Sequence, residues 1–68
     1  MNEETFNLSI RKFLKVVGVS SQREIEQAIA KAVADGTIAG NERFPVSVTL
    51  ELAAVKLQAR FDGEIQLE

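Results

Sequence analysis

From Glu3 to about Val17 the apolar residues Phe6, Ile10, Phe13, Leu14 and Val17 fall 4, 3, 1 and 3 positions apart. That spacing traces one face of a 3.6-residue period and predicts a helix over 3–17. Asn2 stands where an N-cap belongs, Glu3 and Glu4 occupy the first turn, and Arg11, Lys12 and Lys15 come late, so both charge groups suit the helix dipole. Gly18 reads as the stop. Ser21, with Glu24 three residues on, has the form of a capping box and predicts a second helix over 21–35. Its apolar stripe is Ile25, Ala28, Ile29, Ala32 and Val33, and it closes at Gly36. The short link Gly18-Val19-Ser20 makes the two helices an angled pair sharing one core.

The period then changes. Residues 37–43 carry a glycine and polar side chains around Ile38 and Ala39, which is the composition of a loop. Beyond Phe44 and Pro45, Val46, Val48, Leu50 and Leu52 alternate with Ser47, Thr49 and Glu51. A second run, Val55, Leu57, Ala59 and Phe61, alternates with Lys56, Gln58 and Arg60. Strands over about 45–52 and 55–61 therefore form a hairpin, with Pro45 at the start of the first. Opposing Leu52 to Val55, Leu50 to Leu57, Val48 to Ala59 and Val46 to Phe61 gathers eight apolar side chains on one face. A four-residue loop from Leu52 to Val55 keeps that register and avoids asking Ala53-Ala54 to make a tight turn that favours glycine. At Asp62-Gly63 a two-residue turn would send Ile65 and Leu67 to the polar face. Two paths keep them apolar: a strand that continues, straight or bulged, beyond its partner's reach, or a three-residue loop leading to a short third strand near 64–67.

The expected fold class is α+β, a single domain over 1–68 with two N-terminal helices packed on a small antiparallel sheet. Sixty-eight residues, 46% of them hydrophobic, suffice for one small core. Ordering costs nearly cancel apolar burial at this size, and a chain without Cys or His lacks the disulfides and thiolate or imidazole metal sites that reinforce small folds. Association is the remaining reinforcement. The sequence therefore predicts a homodimer whose sheet is completed across the two-fold, with exchange of strands between protomers left open. Its core or dimer face comprises Val46, Val48, Leu50, Leu52, Val55, Leu57, Phe61, Ile65 and Leu67.

Composition also restricts the chemistry. Without Cys, His, Tyr or Trp there is no Cys or His nucleophile and no Ser/His/Asp triad, so no catalytic residue, cofactor or metal is expected. Arg11, Lys12 and Lys15 are the one basic cluster and, with Asn7, a candidate anion or partner patch; on a solvated face they also serve the dipole. Ser20 and Ser21 have no base to activate them. Asp62, Glu64 and Glu68 fit no EF-hand spacing and read as charges on a strand's polar face. Neither GxxxxGK[ST] nor GxGxxG occurs. Two helices followed by a hairpin allow a winged-helix nucleic-acid binder as an alternative, but Glu24, Glu26 and Asp35 outnumber Arg23 and Lys31 on the would-be recognition helix, and the net charge is −2. A carboxylate-only enzyme lacks a converging acid pair. The opening residues lack a basic flank and apolar run, and no apolar stretch approaches the ~20 residues that span a bilayer, so a cytoplasmic setting is expected.

MNEETFNLSIRKFLKVVGVSSQREIE at 1–26 and FDGEI at 61–65 resemble a family of small bacterial proteins known as a conserved domain of unknown function. The match spans most of the chain. The resemblance implies a stand-alone small domain and brings no catalytic or binding residues to transfer; apart from it, an unidentified protein partner is left open beside the homodimer.

Overall fold

The computed structural model describes residues 1–68 as two compact units, Met1–Thr37 and Ile38–Glu68. The first holds helix α1, Glu3–Ala34; the second holds strands β1, Arg43–Leu52, and β2, Leu57–Gln66, joined through a 3-10 turn at Ala53–Val55. The architecture is α+β, with one helix where two were expected.

Helix α1 runs unbroken for 32 residues, about 48 Å at 1.5 Å per residue. Its ends are those the sequence marks. The Asn2 side chain accepts the Thr5 N–H at 3.1 Å, and the acidic first turn follows. At the other end Gly36 adopts φ 77°, the Thr37 N–H donates to the Ala32 carbonyl at 2.9 Å, and the Gly36 N–H donates to the Val33 carbonyl at 3.1 Å. This is the paired Schellman closure, and glycine supplies the left-handed residue it requires.

The expected break at Gly18 and restart at Ser21 do not occur; both residues lie inside α1, and Gly18 has no positive φ. Carrying one glycine and two serines through a helix costs about 2 kcal/mol relative to alanine. A break would instead strand about four N–H and four C=O groups, each needing another partner. The pattern also continues in phase: Phe6, Ile10, Leu14, Val17, Ser21, Ile25, Ala28 and Ala32, all apolar but Ser21, step by 4, 4, 3, 4, 4, 3 and 4. That is an eleven-residue repeat of about 3.67 residues per turn, close enough to the helical period to hold both stripes on one strip. Along this strip Val17, Ser21, Ile25 and Ala32 are half-buried, as is Ile29 beside it.

In the second unit β1 and β2 pair antiparallel over ten residues each: Phe44 faces Ile65, Val46 faces Gly63, Val48 faces Phe61, Leu50 faces Ala59 and Leu52 faces Leu57. Each partner lies two residues later than the sequence register had it. Because side chains alternate with period two, a two-residue slip leaves the apolar face intact and changes only who meets whom. The slip arises in the turn, where Ala53, Ala54, Val55 and Lys56 all lie between the strands and Lys56 takes the left-handed conformation at φ 55°. Val55 thus belongs to the turn rather than to β2.

At Asp62-Gly63 the strand continues straight, and there is no third strand. Its second half does not lack a partner. The slipped register and the earlier start of β1 at Arg43 pair all ten residues. Pro45 stands third in β1 rather than opening it.

Candidate functional site

The hairpin has two chemically distinct faces. One carries Phe44, Val46, Val48, Leu50 and Leu52 beside Leu57, Ala59, Phe61, Gly63 and Ile65; the other carries Arg43, Pro45, Ser47, Thr49 and Glu51 beside Gln58, Arg60, Asp62, Glu64 and Gln66. Of the nine residues assigned to a core or dimer face, Val46, Val48, Leu50, Leu52, Leu57, Phe61 and Ile65 share the apolar face. Val55 is the exception in the turn, and Leu67 follows the end of β2, where its N–H donates to the Glu42 carbonyl at 3.0 Å.

No side chain of the chain is buried. Phe61 is 62% exposed and Val48 44%, while Phe44, Val46, Leu50, Ala59 and Ile65 are half-buried. On α1, Phe6, Leu8, Ile10, Phe13, Leu14, Val16 and Val19 are all exposed. Isolated exposed apolar residues are ordinary, but Phe6, Ile10, Phe13 and Leu14 exposed along one helix face and a sheet face no more than half-buried are not.

Arg11, Lys12 and Lys15 all lie on α1, where residues three and four apart are surface neighbours. Arg11 lines an open recess with Glu4, Asn7 and Leu8, and Lys12 and Lys15 lie outside that lining. On the hairpin's polar face Arg60 Nε donates to Asp62 Oδ1 at 3.0 Å, and Gln66 Nε2 donates to Glu64 Oε1 at 3.4 Å. No three acidic groups converge on a point where a metal ion could sit.

One side chain with specific geometry escaped the sequence reading. The Glu42 carboxylate accepts the backbone N–H of Ala39 at 2.8 Å through one oxygen, and those of Gly40 at 2.8 Å and Asn41 at 3.1 Å through the other. Gly40, at φ 106°, supplies the bend that turns these donors inward. The N–H of Ala39 and of Gly40 are the main reasons its pKa lies below the ordinary glutamate value. Glu42 thereby fixes the loop leading into β1, and its oxygens are occupied in doing so. The available signal was a carboxylate two residues after a glycine in an otherwise aperiodic stretch, which is weak.

The winged-helix alternative needed a helix pair, and α1 is a single rod. No helix of the protein is long and apolar enough to cross a membrane. No curated protein and no solved structure matches the chain. The sequence pattern of DUF6494, described as a family of unknown function, matches residues 1–68, and the chain belongs to that family.

Proposed function

We propose that the protein is a non-catalytic assembly module that acts as a homodimer. The observation that carries this reading is that not one side chain is buried although two extended apolar surfaces are formed. A two-stranded hairpin is marginal in water, and most helical stability in proteins comes from packing an apolar stripe rather than from propensity. Both units therefore need a covering surface, and a second copy of the same chain offers the same two apolar elements.

The composition of the chain supports the non-catalytic reading. The chain has no Cys or His, and the Glu42 carboxylate, whose pKa is lowered, is held by three backbone donors in a loop. The deciding measurement is sedimentation equilibrium at micromolar concentration. The expected mass is twice that of the 7.5 kDa chain; a folded species with the mass of one chain rejects the proposal.

A further inference from the structure

We infer that the second copy adds along the free edge of β2 in a single register, with Phe61 opposite its own copy and Arg60 opposite the partner's Asp62. The inference rests on the dimeric reading above and specifies its interface.

The phase of the ladder shows which backbone groups face outward. The Leu67 N–H donates to the Glu42 carbonyl, one step beyond the Arg43–Gln66 pair. In an antiparallel ladder, bonded and non-bonded pairs alternate. The even residues of β1 and odd residues of β2 therefore bond inward, at Phe44/Ile65 through Leu52/Leu57. Their neighbours turn N–H and C=O away from the partner strand.

The two edges are unequal. On β1 the outward set includes Pro45, which has no N–H to offer and whose ring obstructs an approaching strand. On β2 it is Gln58, Arg60, Asp62, Glu64 and Gln66, five donors in succession with no proline. An unprotected edge is a template for another strand. Two β2 edges meeting about a two-fold axis perpendicular to the sheet give a four-stranded sheet whose outer edges are both β1, each carrying Pro45. The assembly is closed, and both apolar faces lie on the same side.

Charge selects the register. Centring the axis on Arg60 sets Arg60 against its own copy, and centring it on Asp62 sets Asp62 against its own copy; like charges directly opposite are unfavourable. Centring it on Phe61 sets Arg60 against the partner's Asp62 on both sides of the axis and Gln58 against the partner's Glu64. On the apolar face it sets Ala59 against the partner's Gly63 and Leu57 against the partner's Ile65, while pairing nearly all of β2. The Arg60–Asp62 ion pair within each chain, at 3.0 Å, then becomes half of a ring of four charges alternating in sign.

The test uses the full chain, which has no cysteine of its own. Phe61→Cys should form a covalent dimer under mild oxidation, because a non-bonded self-opposed pair brings Cα atoms to about 4.5 Å, within disulfide range. Val48→Cys, its counterpart on β1, should not. The second arm involves only exposed polar residues and so survives a folding defect at position 61. Asp62→Arg should weaken dimerisation about tenfold, and Arg60→Asp combined with Asp62→Arg should restore it. A wild-type chain monomeric by sedimentation overturns the dimer itself. A dimeric wild type whose affinity ignores Asp62→Arg, is not restored by the swap, or cross-links as readily through Val48→Cys overturns this edge and register alone.

Discussion

The Glu42 carboxylate draws in the Gly40 N–H at 2.8 Å, two residues back along the chain, while the Glu42 carbonyl accepts from Leu67 at the far end of β2. One residue thus orders the incoming loop and closes the ladder. Because the backbone donors hold its pKa below the usual value, the stability it contributes is fully present above the unfolded-state pKa near 4.5 and is lost as pH falls through the lower folded value. Amide exchange at Ala39, Gly40 and Asn41, corrected for intrinsic rates, should accelerate in acid below that point. Glu42→Ala should show fast exchange at every pH. Equal acid sensitivity in that variant would remove Glu42 as the cause.

Gly18 sits mid-helix with a helical backbone and nothing within 4 Å of the position a Cβ would take. Alanine there removes the excess backbone entropy of glycine without a clash, so Gly18→Ala should stabilise the protein by about 1 kcal/mol and raise Tm by several degrees. Thermal unfolding followed by circular dichroism measures it. A loss of stability would mean that the chain needs glycine at 18, as a two-helix arrangement does.

The contrast between Gly18 and Gly36 shows what the sequence can and cannot convey. Both follow an apolar stripe and both look like helix ends. Gly36 is followed by a change of period, whereas after Gly18 the stripe resumes in phase at Ser21 and Ile25, information that lies in the whole eleven-residue repeat and not in the local stop signal. Strand existence and facing were legible because period two is unambiguous from Val46 to Leu52. The register was not, since it depends on how many residues the turn absorbs, and Lys56 in a left-handed conformation leaves no glycine to mark it. Glu42 was illegible for a related reason: its bonds run to backbone N–H groups, which every sequence offers equally.

Lys56 holds φ 55° and ψ 35° at the end of the turn, a conformation that costs an L side chain about 1 kcal/mol. Lys56→Gly should relieve it, with part of the gain returned as unfolded-state entropy, for a net stabilisation of about 0.5 kcal/mol in chemical denaturation. Ala53→Gly and Ala54→Gly, where a tight two-residue turn would favour glycine, should lower stability instead, because neither has a positive φ to relieve. The reverse ranking would indicate the shorter turn and the unslipped register.

Leu57 and Thr49 separate the two faces of the hairpin in a single experiment. Leu57 faces Leu52 on the apolar side and remains 41% exposed in one chain; Thr49 faces Arg60 on the polar side. In the four-stranded sheet Leu57 stands against the partner's Ile65 on the combined apolar face, so a carboxylate there is set among apolar side chains on assembly, whereas one at Thr49 stays in water beside a guanidinium. Leu57→Asp should therefore shift the sedimenting mass from dimer to monomer and abolish the cooperative thermal transition, the loss of covered leucine alone being worth about 1.5–3 kcal/mol. Thr49→Asp should leave both unchanged. A Leu57→Asp chain that keeps its mass and its melting transition would show that the apolar face of the hairpin is not packed in the assembly.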